Sequence, residues 1–124
     1  KEAVRRAAAA QPPFTLALGK LGAFESWRRV RVVWTGVEAG LEPLARIAAA
    51  LRAELEARGF SIEKREFSGH LTLARSREAR PHPGLEAANL PESPRMEAAE
   101  LSLMRSRLQT TGAKYEALWR CPLG

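Results

Sequence analysis

GHLTLAR, residues 69–75, alternates polar and apolar side chains in a way that is typical of a β-strand. Successive side chains of a strand point to opposite faces of its sheet, so His70 and Thr72 share one face. Leu71 and Leu73 are expected to pack on the other face. Because two residues of strand span about 7 Å, the imidazole and the hydroxyl can approach the same small anion.

The segment before this strand predicts the clearest helix of the chain, from Leu41 to Arg58. Its apolar residues recur at steps of three and four and form one stripe: Leu44, Ile47, Ala48, Leu51 and Leu55. Pro43 suits the first turn of a helix, and Gly59 suits the position just after the last turn. A helix with one apolar stripe is expected to lie on a sheet.

The remaining segments complete an α+β pattern. Residues 1–10 predict the end of a helix that Pro12 and Pro13 terminate, and residues 76–95 predict a loop with one helical turn at 85–90. Strands are predicted at 14–24, where glycines indicate a bend, at 29–37, at 96–108 and at 114–123, with a turn at 110–112. A helix between strands, followed by a hairpin, predicts an α+β fold with a mainly antiparallel sheet.

The composition favours a folded protein with an anionic partner. The 124 residues suit one domain or one part of a larger protein, and 45% of them are hydrophobic. Twenty Lys and Arg residues against fourteen Asp and Glu give a formal charge of +6. Arginine binds phosphate in bidentate geometry, which favours nucleic acid as partner. An alanine- and arginine-rich genome that uses arginine in place of lysine explains the composition equally well.

The single cysteine excludes an internal disulfide and leaves no metal-ligand spacing, so Cys121 is predicted to be a buried small hydrophobic residue. The sequence has no apolar run of about eighteen residues and no signal-peptide pattern, so we expect a soluble cytoplasmic protein without membrane contact. It begins with KEAVRRAAAA, without an initiator methionine or a helix N-cap, and we therefore expect further residues upstream.

His70 and Thr72 together suit phosphoester chemistry. An imidazole near neutral pH can accept or donate the proton that an attacking or leaving oxygen exchanges. A threonine hydroxyl can donate a hydrogen bond to a non-bridging phosphate oxygen. The pair is a coherent half-site for acid–base attack on a phosphodiester, with no metal required. Four residues alone also fit a structural histidine on the solvated face of a strand.

Longer stretches around this pair resemble the 2H phosphoesterases, in particular the 2′-5′ RNA ligase-like group of RNA 2′,3′-cyclic phosphodiesterases. LGKLGAF (18–24) is similar to the glycine-rich strand exit of that family, and RVVWTGV (31–37) to its central tryptophan-containing strand. EKREFSGHLTLAR (63–75) resembles the approach to the second His-x-Thr-x motif. LSLMRSRLQTTGAKYEALWRCPL (101–123) is similar to the closing hairpin of the family.

The resemblance implies two pseudo-symmetric α+β lobes that face a cleft, each contributing one His-x-Thr-x strand. One histidine activates the attacking group, the other protonates the leaving oxygen, and both threonines hold the phosphate. His70 and Thr72 correspond to the second motif. The implied activity is metal-independent hydrolysis of RNA 2′,3′-cyclic phosphate ends, together with reversible 2′-5′ RNA ligation, without ATP or another cofactor. The alternatives are a non-catalytic RNA- or phosphate-binding module on the same fold, and a phosphodiesterase of a small nucleotide.

The sequence departs from the family pattern in two places. Gly69 stands where a proline commonly precedes the histidine, and a first His-x-Thr-x motif is absent. The only other histidine, His82, lies in RPHPG, with Gly84 where the threonine would stand. We therefore expect residues 1–124 to be a single domain of this family that lacks its N-terminal segment.

Three further residues are candidates for substrate binding. Arg75 is suited to a phosphate contact, although strict alternation places it on the face of Leu71, away from His70. Ser106 and Tyr115 belong to the closing hairpin, where the tyrosine suits either base stacking, worth about 1–3 kcal/mol per base, or packing on the sheet. The tryptophans are predicted to be core or half-buried packing residues: Trp27, Trp34 and Trp119.

Overall fold

Three helices and six strands follow one another along the 124 residues that the computed structural model describes. The helices are α1 (Glu2–Ala9), α2 (Leu41–Glu56) and α3 (Pro83–Glu86). The strands are β1 (Phe14–Ser26), β2 (Arg29–Ala39), β3 (His70–Arg80), β4 (Met96–Ala98), β5 (Glu100–Gln109) and β6 (Gly112–Pro122). The α+β class predicted from the sequence is confirmed, since β1–β2, β2–β3 and β5–β6 all pair antiparallel.

The elements divide between two units. The first unit comprises Lys1–Phe14, Pro43–Phe67 and Ala98–Gly124, and the second comprises Thr15–Glu42 and Ser68–Glu97. The prediction that residues 1–124 form a single domain without its N-terminal segment stays a prediction.

The first unit is built on the β5–β6 hairpin. Its buried cluster joins the first helix, the second helix and the end of the last strand through Ala8, Ile47, Cys121 and Leu123. The burial predicted for Cys121 is confirmed, and Ile47 is the member of the predicted apolar stripe that is buried. The hairpin turns at Gly112, whose φ of +122° is a conformation that glycine adopts without steric cost.

The second unit contains the sheet of four strands, in the order β3-β2-β1-β4. Its central strand supplies the most buried side chains, Val30 at 0% and Thr35 at 2% exposure. The hydroxyl of Thr35 donates a hydrogen bond of 2.9 Å to the backbone carbonyl of Gly19. This bond gives the buried hydroxyl a hydrogen-bond partner. Gly19 lies where the register of β1 against β2 is irregular, between Leu18 and Leu21.

The structure corrects three local expectations. The third strand continues through residues 76–80, which were predicted as loop, because Arg80 still pairs with Val30. The helical turn predicted at 85–90 lies at Pro83–Glu86, where a proline suits the first helical position. Leu71 and Leu73 were expected to pack, but they are 49% and 51% exposed because β3 is an edge strand.

No helix of the chain has the length and apolar character needed to cross a membrane.

Candidate active site

His70 is the first residue of β3, and a local hydrogen bond fixes its imidazole. Nδ1 of the ring lies 2.7 Å from the backbone carbonyl oxygen of Ser68. A carbonyl oxygen can only accept, so Nδ1 carries the proton and donates it to this bond. In the neutral ring, Nε2 therefore bears a free lone pair. Since the residue is exposed, that nitrogen is available to an incoming ligand.

The aromatic rings of Phe24 and Trp34, which we call the aromatic wall, pack against the imidazole of His70. The ring centroid of Phe24 lies 5.4 Å from that of His70 at an interplanar angle of 90°. The centroid of Trp34 lies 6.1 Å from the imidazole at 66°. Phe24 and Trp34 also contact each other, with centroids 5.2 Å apart. Edge-to-face contacts of this kind are favourable and directional, so they restrict the orientation of the ring.

The register places Thr72 on the face that carries the imidazole. Gly36 pairs with His70, and Trp34 pairs with Thr72, two residues further along each strand. Cross-strand partners and residues two apart share a face, so the hydroxyl and the imidazole emerge together, as the alternation predicts. Both residues are exposed. The structure therefore brings together the two residues that the sequence singled out.

A bulge in β3 moves Arg75 to the same face, contrary to the placement that strict alternation gives. Trp34 pairs with Thr72, whereas the preceding Val33 pairs with Ala74, so Leu73 is an extra residue without a partner. The next pair joins Val32 to Arg75.

Because Val32 and Trp34 are two residues apart on β2, they share a face, and their partners Arg75 and Thr72 share it too. Arg75 is exposed. A guanidinium on this face can donate hydrogen bonds to the same phosphate as the hydroxyl of Thr72.

A cavity of about 760 Å³ adjoins this face within the second unit. Strands β1 and β2 form one side of it, and residues 86–93 form the other. Trp34 and Gly36 belong both to the cavity lining and to the face that carries the imidazole, while His70 and Thr72 do not line the cavity. Its charged residues include Lys20 and three glutamates, so phosphate is better suited to the face beside it, where Arg75 lies.

Ser106 and Tyr115 lie in the first unit, whereas His70, Thr72 and Arg75 lie in the second. The two hairpin residues are cross-strand partners in β5 and β6. Tyr115 is exposed, with 67% of the residue's surface accessible, so it is not a packing residue of the hairpin. Its surface is free to stack on a base, and that role stays a prediction.

Sequence reasoning missed the side chains and backbone that hold the imidazole. The tryptophans are half-buried, as predicted, but Trp34 also contacts His70, and Phe24 and Ser68 do so as well. Only the register between neighbouring strands reveals the two aromatic contacts. The Ser68 contact is local, and nothing in the residue pattern marks it.

A sequence model described as the 2′-5′ RNA ligase superfamily matches residues 1–110. The RNA 2′,3′-cyclic phosphodiesterase of Aeropyrum pernix is 39% identical over 86% of this chain and 62% of its own length. That of Geobacillus stearothermophilus is 35% identical over 98% of this chain and 39% of its own length. The chain thus spans about two fifths to three fifths of the length of these relatives.

Solved structures agree with the sequence matches. TT0787 of Thermus thermophilus superposes with a TM-score of 0.72 at 28% identity, covering 98% of this chain and 67% of that one. LigT of E. coli, crystallised with 3′-AMP, gives a TM-score of 0.71 with the same identity and coverage. The sequence and the fold therefore agree, and the chain belongs to the 2′-5′ RNA ligase superfamily.

Proposed function

We propose that this chain supplies half of the active site of an enzyme that hydrolyses RNA 2′,3′-cyclic phosphate ends without a metal. The observation that carries the proposal is the state of His70. Ser68 fixes the Nδ1–H tautomer and leaves Nε2 free, on the face that also bears Thr72. The names of the relatives, RNA 2′,3′-cyclic phosphodiesterases, support the choice of substrate.

In the proposed reaction, a water oxygen forms a bond to phosphorus and the bond from phosphorus to O2′ or O3′ breaks. Nε2 of neutral His70 accepts the proton of the water, or the protonated ring donates a proton to the leaving oxygen. The product is a phosphomonoester beside a free hydroxyl. The second proton transfer requires another acid–base group, which we assign to the first His-x-Thr-x motif of the family, a motif that this sequence does not contain.

Thr72 and Arg75 stabilise the phosphate while its negative charge redistributes. The hydroxyl donates one hydrogen bond to a non-bridging oxygen, and the guanidinium donates two in a fork geometry. Fixed donors of this kind lower the barrier because they need no reorganisation during the reaction. If a 5′-hydroxyl of RNA replaces the water, its oxygen bonds to phosphorus, its proton goes to the base, and the bond from phosphorus to O3′ breaks as O3′ takes a proton from the acid. The same groups then form a 2′-5′ linkage.

The test uses protein produced from the complete gene, with RNA ending in a 2′,3′-cyclic phosphate and with 2′,3′-cyclic AMP as substrates. We expect His70→Ala to lower kcat by about 10²–10⁴-fold, because the loss falls on proton transfer in the transition state. His82→Ala, which removes the only other histidine of this sequence, is the matched control and should retain the wild-type rate. A His70→Ala variant with the wild-type rate would refute the proposal.

A non-catalytic module that binds RNA or phosphate is the second candidate, because this sequence carries a single motif. It predicts that the protein from the complete gene binds RNA with a cyclic-phosphate end and does not turn it over. Binding measured by fluorescence anisotropy, beside product analysis on the same RNA, separates the two candidates.

A further inference from the structure

The indole of Trp34 lies directly over Gly22 of the neighbouring strand. The two residues are cross-strand partners in β1 and β2. A Cβ built on Gly22 would lie 2.1 Å from Cζ2 of the indole, 2.3 Å from Cη2 and 2.5 Å from Cε2. Carbon atoms without a bond between them prefer separations of about 3.5–4.0 Å, so any other residue at position 22 must displace the ring. Only glycine permits this placement of the indole.

The position of the Trp34 indole affects His70, because the indole also contacts Phe24 and the imidazole. Phe24 is two residues from Gly22 on the same strand, and its ring contacts both Trp34 and His70. A displaced indole therefore disturbs the whole aromatic wall. Nε1 of Trp34 is buried and makes no hydrogen bond, so packing alone keeps the ring in position.

We propose that Gly22, Trp34 and Phe24 are positioning residues for His70. They restrict the imidazole to the orientation in which Nδ1 donates to Ser68 and Nε2 is left free. The inference rests on the proposed function in one respect, namely that proton transfer by His70 limits the rate. A misplacement of about 1 Å at a reacting group can cost about 100-fold in rate, so a wall that sets the ring orientation affects kcat.

Gly36 provides a matched control on the same face. It is the direct cross-strand partner of His70, yet a Cβ at this position would meet only Cζ3 of Trp34 at 3.5 Å and the carbonyl oxygen of Lys20 at 3.7 Å. Both are ordinary contact distances. Neither Gly22 nor Gly36 has a positive φ, so Gly22→Ala and Gly36→Ala differ in the overlap with the indole and not in backbone strain.

The first experiment compares these two variants in protein from the complete gene, with 2′,3′-cyclic AMP as substrate. We expect Gly22→Ala to lower kcat by about 10–100-fold, with KM changed by less than about threefold, because the loss affects the reacting group and not binding. Gly36→Ala should stay within about twofold of wild type. Equal kcat values for the two variants overturn the proposal.

The second experiment asks whether Gly22 acts through the indole. Phenylalanine lacks the outer ring atoms Cζ2 and Cη2 that an alanine at position 22 would overlap. Trp34→Phe should therefore lower kcat only about threefold, and adding Gly22→Ala to it should cost little more. A double-mutant cycle measures this coupling. If Gly22→Ala reduces kcat as much in the Trp34→Phe variant as in the wild-type protein, the indole is not the link and the proposal is wrong.

A third measurement is independent of catalysis. The ¹⁵N chemical shifts of the His70 ring report its tautomer without substrate. We expect the wild-type protein and Gly36→Ala to show protonated Nδ1 and unprotonated Nε2, and Gly22→Ala or Phe24→Leu to show a tautomer mixture. Phe24→Leu keeps the apolar volume at an exposed position, so it serves if Gly22→Ala does not fold.

Unchanged ring shifts in Phe24→Leu and in any folded Gly22→Ala refute the positioning role. If the shifts move as expected while His70→Ala retains full activity, the proposed function is wrong and the positioning role stands. The ring shifts therefore test the positioning role, and the activity of His70→Ala tests the proposed function.

Discussion

The backbone carbonyl of Ser68 accepts a hydrogen bond of 2.7 Å from Nδ1 of His70, two residues further along the chain. This one contact assigns the two ring nitrogens different roles. Nδ1 anchors the ring to the backbone that leads into β3, and Nε2 is left for the substrate. The different roles of the two ring nitrogens can be tested with two amide substitutions.

His70→Asn places an amide nitrogen close to the position of Nδ1, and His70→Gln places one close to Nε2. We expect both variants to lose about 10²–10⁴-fold in kcat, because neither amide transfers a proton near neutral pH. Both variants lose the ring contacts with Phe24 and Trp34, but His70→Asn can still donate to Ser68, so it should unfold at a higher urea concentration than His70→Gln. His70→Gln gives up a hydrogen bond worth about 0.5–1.5 kcal/mol and should unfold at a lower urea concentration. Substantial activity in either variant would contradict the assignment of Nε2.

Arg75 shares the face of His70 and Thr72 only because Leu73 bulges out of the pairing between β2 and β3. We therefore expect Arg75→Ala to lower kcat/KM for 2′,3′-cyclic AMP by about 10–150-fold, which corresponds to the loss of a charge-assisted hydrogen bond of about 1.5–3 kcal/mol. Arg75→Lys should lie between this variant and wild type, because lysine keeps the charge and loses the fork geometry.

Arg77 is the matched control for this prediction. It is an exposed arginine on the same strand, two residues further along, so Arg77→Ala removes the same charge from the protein. If Arg75→Ala and Arg77→Ala have equal effects, overall charge explains them and the contact with phosphate does not. The comparison should be made at two salt concentrations, because a general charge effect weakens as salt is added.

The placement of Arg75 shows which features of this chain could be predicted from sequence. Alternation within one strand placed His70 and Thr72 correctly, because both lie before the bulge and depend on local geometry alone. A bulge depends on the partner strand, and no pattern within HLTLAR marks Leu73 as an unpaired residue. The contact between Phe24 and His70 joins β1 to β3, and it depends on two registers at once.

The second helix and the closing hairpin are easier to predict from the sequence. The apolar spacing of 41–58 and the turn at 110–112 contain their own signals, and the structure reproduces both to within a few residues. Residues 76–80 were mistaken for loop because SREAR is polar almost throughout. An edge strand tolerates such residues, since its outer side faces solvent.

The hydroxyl of Thr35 is predicted to stabilise the second unit. It donates to the carbonyl of Gly19 from a side chain that is only 2% exposed. Thr35→Val keeps the shape and leaves that carbonyl without its partner, so the free energy of unfolding should fall by about 1–3 kcal/mol. Thr35→Ser keeps the hydroxyl and loses one methyl group, which costs about 1 kcal/mol. Urea titration measures both variants, and a Thr35→Val variant as stable as wild type would show that the bond contributes nothing.

Tyr115 is predicted to bind the RNA chain and not the cyclic phosphate. Its ring is exposed in the β5–β6 hairpin, and a base stacked on it would contribute about 1–3 kcal/mol. We expect Tyr115→Ala to raise KM about tenfold for an oligonucleotide with a 2′,3′-cyclic phosphate end and to leave KM for 2′,3′-cyclic AMP within about twofold, because a mononucleotide has no neighbouring base to stack.

Leu108 is the matched control in the same hairpin. It is 90% exposed and apolar, but it has no aromatic face, so Leu108→Ala should leave both KM values unchanged. Tyr115→Phe retains the aromatic face and should bind RNA as wild type does, which separates stacking from a hydrogen bond of the phenol. Equal increases in KM for the oligonucleotide and the mononucleotide would instead assign Tyr115 to the nucleotide that reacts.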